Sequence, residues 1–170
     1  MIKVIDNFLP SYQFKEIRSI IEGPGFPWYY NDGILFIPQP KVYQFKHTFY
    51  KDEWETGKGN PSDYYWLWDY TQRLLGVETL FRIKANLRPG TTFPSGGGFH
   101  TDYVNMTTAI FYINTNNGGT KFKNGRKVKS VANRMLIFDS NLMHQSVSCT
   151  DKKRRIVINF NFKTNLNNQK

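Results

Sequence analysis

Cysteine is all but absent from this chain: Cys149 is the only one, so no disulfide can form within it. A reducing intracellular setting fits that usage. Long apolar runs are missing too. No stretch reaches the roughly 18 uninterrupted apolar residues that a membrane span needs, and charges are scattered through residues 1–22, which argues against an export leader. The expectation is a soluble, cytoplasmic chain with no membrane partner, in a host cytoplasm if its source is viral. Internal repeats are lacking, and the one biased tract is a polar tail over residues 164–170, expected to fray. Acidic residues are scarce, 13 against 23 Lys and Arg, for a formal charge of +10. The excess gathers in Lys121, Lys123, Arg126, Lys127 and Lys129, and again in Lys152, Lys153, Arg154 and Arg155. Such a surface could attract nucleic acid or an acidic protein, although a solvated hairpin rim is the simpler reading.

Aromatic residues, by contrast, are abundant at 16% of 170 residues. They cluster at Trp28, Tyr29, Tyr30 and over residues 64–70, where most should be core and a minority should line a pocket. The length suits one domain with a real core. Ile2 to Ile5 reads as a strand and Ser11 to Glu22 as a helix, with Phe14, Ile17, Ile20 and Ile21 at helical spacing before Gly23. Residues 23–40 are broken by Pro and Gly into a long irregular passage, in which Ile34 to Ile37 could pair as an edge strand and Trp28 to Tyr30 could form a lid or a core anchor. Val42 to Tyr50 reads as a strand with Tyr43, Phe45, His47 and Phe49 on one face. A loop over Lys51 to Asn60 leads to Ser62 as N-cap of a helix to Leu75, with Trp66, Leu67, Tyr70 and Leu74 inward and Gly76 beyond.

After Val77 the rhythm changes to short strands separated by Gly or Asn turns: Leu80 to Leu87, Thr107 to Asn114, Thr120 to Phe122, Lys127 to Ser130, Met135 to Asp139, Gln145 to Ser148 and Arg155 to Phe162. That is the rhythm of an antiparallel sandwich. The fold expected is α+β, mainly β: an eight-stranded double sheet of the jelly-roll class, a double-stranded β-helix with N-terminal helices packed on one face.

The chemistry concentrates in His100-Thr101-Asp102. Residues two apart in an extended segment share a side, so His100 and Asp102 can take adjacent positions on one metal, and Gly96-Gly97-Gly98 allows the backbone to bend sharply just before them. His144, from a distant strand, would complete a set of two histidines and one carboxylate, which suits ferrous iron with open positions. An arginine opening the last strand, at 154 or 155, suits a carboxylate ligand, because its planar fork binds both oxygens. Three other features have bland readings: His47 as a packed or substrate-wall residue, Cys149 as a thiol without a base, and Asp139-Ser140 as turn chemistry.

With those residues set out, the chain resembles the 2-oxoglutarate and iron(II) dependent dioxygenases, and within them the prolyl-4-hydroxylase-like branch that includes short oxygenases from bacteriophages. The likeness is good over Arg82 to Phe162 and looser before it. It implies one oxygenase domain over residues 1–170 with its metal and cosubstrate core at about 80–162. It implies His100, Asp102 and His144 as iron ligands and a basic residue about ten positions after His144 on the distal carboxylate of 2-oxoglutarate. Arg154 and Arg155 both fit that spacing and must point to opposite faces; Arg155, which runs straight into the alternating strand, is the preferred one. Tyr112 is implied as a second contact to that carboxylate, with Thr108 and Ile110 as wall positions on its face. Thr120, after Gly118-Gly119, falls near the cosubstrate chain. Asn86 is a further candidate contact and Arg88 the next; Asn86 and Asn159 read equally well as inward polar residues satisfied by backbone. The cofactors implied are Fe(II), 2-oxoglutarate and O2, with ascorbate in support. The activity implied is hydroxylation of a protein or peptide, with a prolyl residue as leading target, giving succinate and carbon dioxide. Two alternatives stand beside it: a nucleic-acid-base oxygenase or demethylase of the same superfamily, and a non-catalytic jelly-roll binding protein.

Overall fold

The computed structural model describes residues 1–33, 43–53 and 58–164. Eleven strands and two helices follow one another in these segments. β1 (Ile2–Ile5) and α1 (Ser11–Glu22) come first, then β2 (Tyr29–Asp32), β3 (Tyr43–Glu53) and β4 (Lys58–Pro61). A 3-10 turn (Tyr65–Trp68) runs into α2 (Asp69–Leu75), and β5 (Thr79–Pro89) opens the all-β part. β6 (Thr107–Tyr112), β7 (Gly119–Phe122), β8 (Lys127–Lys129), β9 (Arg134–Asp139), β10 (His144–Val147) and β11 (Arg154–Lys163) complete it.

The strands form two antiparallel sheets. The larger has the order β1-β9-β6-β11-β5-β3-β2, with β4 also paired to β3, and the smaller has the order β10-β7-β8. This is the double-sheet arrangement expected, with more strands than the eight anticipated because β1, β2 and β4 extend the larger sheet. The outer face of that sheet carries Ile83, Ala85, Phe111, Ile156, Ile158 and Phe160, which pack with Ile17 and Ile21 of α1 and with Trp68. Each such side chain removed from water contributes about 1.5–3 kcal/mol, so the helix side anchors the sheet. The inner face faces the smaller sheet, where Ile110, Leu136, Phe138 and Val157 meet Phe122 and Val128. Within the smaller sheet two glycines let neighbouring strands approach closely. A Cβ on Gly118 would lie 2.7 Å from the Val147 carbonyl oxygen, and one on Gly119 would overlap that of Val128.

Several expectations for the N-terminal half need correction. Trp66, Tyr70 and Leu74 are 54%, 39% and 46% exposed; the inward residues are Leu67, Trp68, Thr71 and Leu75. The helix expected from Ser62 is a 3-10 turn followed by a short α-helix, and the change of pitch rotates the buried stripe. Ser62 is not the N-cap, a place that Tyr64 takes for the 3-10 turn and Trp68 for α2; it precedes the turn, its Oγ accepting from the Tyr64 amide at 3.4 Å and its carbonyl from the Tyr65 amide. Gly76 ends α2 with φ 64°. The loop expected over Lys51 to Asn60 is in part strand: β3 continues to Glu53, and β4 pairs with it from Lys58 to Pro61. Tyr29–Asp32 is a strand on the edge of β3, with Tyr29 and Tyr30 exposed and Trp28 packed on Phe26. The edge strand expected at Ile34 to Ile37 and the tail past Thr164 lie outside the described residues.

No helix among the described residues is long and apolar enough to cross a membrane.

Candidate active site

The site is built where the two sheets meet. His144 opens β10, and its backbone exchanges both hydrogen bonds with His100, N to O at 2.9 Å each way. That isolated bridge brings two histidines 44 positions apart side by side, with ring centroids 4.6 Å apart. Gly98, at φ 85°, supplies the bend that turns the chain toward it. Asp102 follows, its amide bonded to the Ser140 carbonyl. One ligand atom from each of His100, Asp102 and His144 falls within 4.8 Å of the others.

Second contacts orient all three. The His144 Nδ1 is 2.9 Å from the Leu142 carbonyl oxygen and the His100 Nδ1 3.2 Å from that of Gly98. A carbonyl only accepts, so each Nδ1 carries the proton and each Nε2 presents a lone pair. Both Nε2 atoms face Asp102, at 4.0 Å for His100 and 3.9 Å for His144. The Asp102 Oδ2 accepts from the Thr108 hydroxyl at 2.8 Å and from the Asn161 amide at 3.1 Å. Asn161 is held in turn by the Arg82 Nε on its Oδ1, 3.1 Å away, and Arg82 lies over the Tyr103 ring at 5.1 Å. Burial pushes the Asp102 carboxyl up, but His144, Arg82 and the Thr108 and Asn161 hydrogen bonds together outweigh it, and the group sits below its ordinary value. Burial holds His144 below the ordinary imidazole value despite the opposing pull of Asp102. The ionised carboxylate and neutral imidazole that a divalent metal needs are thus the favoured forms.

Beyond the triad a cavity of about 620 Å³ extends over the inner face of β5, β11 and β3. Strand parity separates the two arginines: Arg155 is 2% exposed and lines this cavity, whereas Arg154 is exposed outside it. The Arg155 Nε donates to the Ser130 Oγ at 3.0 Å, and its guanidinium lies 5.6 Å from the Tyr112 ring centroid. The Tyr112 hydroxyl is 2.8 Å from the Thr120 Oγ1, and Thr120 lines the cavity. Arg155 has five N–H donors, more than Ser130 and Tyr112 can satisfy, and it forms no ion pair among the described residues. A buried cation in that state calls for an anionic ligand. Arg88, directly across from it in the β5–β11 register, is also buried and donates to the Ser146 carbonyl and hydroxyl at 3.1 and 2.8 Å. Burial and the neighbouring Arg155 push its pKa down to about 10.

Asn86, Ile110 and Asn159 line the same cavity. The Asn159 Oδ1 is buried with no hydrogen-bond partner among the described residues, so no described backbone group satisfies it. The sequence reading missed Arg82 and Asn161 as parts of this constellation. Asn161 has the parity of Arg155 and Asn159, and that signal alone would have placed it on the inner face. His47 lies outside the site, hydrogen-bonded to the Pro27 carbonyl and Ser62 hydroxyl and packed on Phe26 and Phe49. Cys149 is buried, and burial raises its thiol. Asp139 makes a turn contact, accepting from the Asn141 amide at 2.8 Å, whereas the Ser140 hydroxyl ties in a distant loop, accepting from the Met106 amide at 3.0 Å and sharing its proton between the Met106 and Tyr103 carbonyls.

Comparison of the whole structure with solved structures gives a consistent answer. A prolyl hydroxylase from Trichoplax adhaerens, solved with a hypoxia inducible factor peptide fragment, superposes with a TM-score of 0.66 at 17% identity, over 95% of this chain and 83% of that one. A Pseudomonas putida prolyl-4-hydroxylase gives 0.65 at 16%, over 95% and 92%. A 2OG-Fe(II) oxygenase family oxidoreductase from Burkholderia pseudomallei gives 0.68 at 10%, over 96% and 86%. The fold is that of the 2-oxoglutarate and iron(II) oxygenases. No protein-family model and no curated protein sequence matches the chain. At these identities the oxygenase likeness is one of fold, and the chemistry has to be argued from the site.

Proposed function

We propose that this chain is a 2-oxoglutarate and iron(II) dependent hydroxylase of a protein or peptide substrate, a prolyl residue being the leading target. The observation that carries the reading is one cavity holding both a preoriented His100, Asp102 and His144 set and the buried Arg155, which has no acidic partner among the described residues. The donor set fits the metal, with two neutral imidazoles and one carboxylate held by second contacts. Arg155 fits the distal carboxylate of the cosubstrate, and a binding protein that kept only the metal would have no use for that cation.

Iron(II) held by the triad, with 2-oxoglutarate and O2, supplies the oxidation that converts a substrate C–H to C–OH while the 2-oxo acid is split to succinate and carbon dioxide. The chain's own residues do the positioning. Arg155 binds the distal carboxylate, with the Tyr112 and Thr120 hydroxyls beside it to donate or accept. Thr108 and Asn161 keep Asp102 ionised and fixed in rotamer. Ile110 and Val157 give the cavity apolar walls that limit water near the reacting carbon. Phe138 and Phe122 pack on the His144 ring, with centroids 4.8 and 6.2 Å away, and hold its plane.

The test is succinate formation from 2-oxoglutarate with added iron(II) and ascorbate across a panel of proline-containing peptides, alongside direct measurement of cosubstrate binding. Metal-dependent binding of 2-oxoglutarate and peptide-stimulated succinate are expected. No cosubstrate binding by metal-loaded protein would refute the proposal.

A further inference from the structure

The inner face of the larger sheet is divided in composition. Toward β9 and β6 it carries Leu136, Phe138, Ile110 and Tyr112, packed beneath the smaller sheet. Toward β5 and β3 the same parity delivers cations: Lys84 stands opposite Thr48, Asn86 opposite Lys46 and Asn159 opposite Lys84. Six cationic side chains line the cavity, Lys46, Lys51, Arg82, Lys84, Arg88 and Arg155, against two carboxylates, Asp32 and Asp102. Adding a divalent metal and a 2-oxoglutarate dianion leaves that excess of four unchanged, because their charges cancel. Among the described residues neither Lys46 nor Lys84 forms an ion pair. Burial, with Arg82 and Lys46 nearby, pushes Lys84 down to about 8, Asp102 pulling the other way. Cations collected in a concave site without counter-charges raise the local concentration of anions and favour their entry.

Resting on the oxygenase reading, we infer that the primary substrate is an acidic peptide, and that a carboxylate side chain beside the oxidised residue docks against Lys84 and Lys46. The neighbouring groups suit a peptide. The unpartnered Asn159 Oδ1, across the ladder from Lys84, can accept a backbone N–H, and the Gln44, Asn31 and Asn86 carboxamides line the same floor. A nucleic acid fits less well. Tyr103 is the one aromatic side chain, histidine apart, among the described lining residues, and Arg82 already lies over its ring, so the cavity offers no row of aromatic faces for successive bases to stack on. The exposed lysines of β7 and β8 do not line the cavity.

The experiment is anaerobic binding to protein loaded with iron(II) and 2-oxoglutarate. Fluorescein-labelled proline peptides of one length carry Glu, Gln or Lys beside the proline, and a single-stranded oligonucleotide is measured alongside. The expected order is Glu, Gln, Lys, with roughly tenfold between the extremes, narrowing as salt rises. Lys84→Met keeps the apolar stem and removes the charge, and should bring the Glu and Gln peptides within about twofold of each other; Lys84→Glu should invert the order. Should Lys84→Glu fail to fold, the peptide series and Lys84→Met decide alone. Equal binding of Glu and Lys peptides, or a Glu preference untouched by Lys84→Met, overturns the inference. An oligonucleotide that outcompetes the Glu peptide overturns it in favour of a nucleic-acid substrate. The underlying reading fails separately: 2-oxoglutarate titrated before any peptide must bind in a metal-dependent way, and if it does while peptide charge has no effect, only the substrate class is lost.

Discussion

Arg155→Met separates a ligand-binding role for this arginine from a structural one, because the two predict opposite signs. Methionine keeps much of the stem volume and removes the guanidinium. Removing one partner of a buried, hydrogen-bonded charge pair costs about 2–5 kcal/mol, or about 30-fold to a few thousand-fold in affinity. The Tyr112 and Thr120 hydroxyls and the nearby Arg88 remain, so the loss of 2-oxoglutarate affinity belongs toward the lower end, at about a hundredfold. Stability should move the other way. Without a ligand Arg155 is a fully buried cation whose Nε donates to the Ser130 hydroxyl, and burial depresses its pKa even with Tyr112 opposing. Removing an uncompensated buried charge is neutral to stabilising. Isothermal titration of 2-oxoglutarate into manganese-loaded protein reads the first effect and scanning calorimetry the second. A dissociation constant within about threefold of wild type, or a Tm drop beyond about 4 °C, the scale of about 1 kcal/mol in a chain of this size, would refute the reasoning.

Three further outcomes follow from the same geometry. His144→Ala should weaken manganese binding by at least about a hundredfold while the circular dichroism spectrum stays native, since His144 sits beside the small apolar cluster and is no member of it; retained metal affinity would overturn the assignment. Metal affinity should be flat from about pH 8 to about 6.5 and fall below that, because Asp102 and His144 both sit below their ordinary values and protons compete only on the acid side. By the same sign, the stability that each group contributes is present above its unfolded pKa and lost as pH falls through its lower folded one, so a metal affinity already declining between pH 8 and 7 would contradict the picture. Trp68→Ala should cost about 3–5 kcal/mol in urea unfolding, because Trp68 is fully buried between Phe49, Phe111 and Phe160, and a cost below about 1 kcal/mol would show that the core collapses around it.

That His100 and Asp102 share a side, and that Arg154 and Arg155 face opposite ways, was legible because both depend on period two, which needs only neighbours along the chain; His144 and the preference for Arg155 came from the resemblance. The paired sheets of the C-terminal half were legible for the same reason. Elements whose partners are distant and whose pattern is weak were not. β4 is Lys-Gly-Asn-Pro with no apolar alternation, and its pairing with β3 is a matter of backbone bonds that composition does not announce. The inward residues around Trp68 were misplaced because a 3-10 turn advances about 120° per residue against about 100° in an α-helix, so four residues rotate the stripe by about 80°. Arg82 escaped notice because it meets Asp102, at 3.9 Å, and the Asn161 that bonds Asp102 only across elements distant in sequence, which no spacing reveals.

The larger sheet explains how so polar a site can sit between two packed sheets. Along β5 and β11 the residues alternate between Ile83, Ala85, Ile156, Ile158 and Phe160 on the helix side and Arg82, Lys84, Asn86, Arg155 and Asn159 on the cavity side. The helix side is closed by α1 and the Trp68 segment, and it carries the apolar burial that holds the strands in register. The cavity side is thereby released from packing duty. It can collect charges that would be ruinous in a core, and on the proposed function metal, cosubstrate and substrate are what satisfy them. Arg155, Arg88 and Lys84 are costly to the empty protein, and that cost is the same quantity that favours an anion on binding.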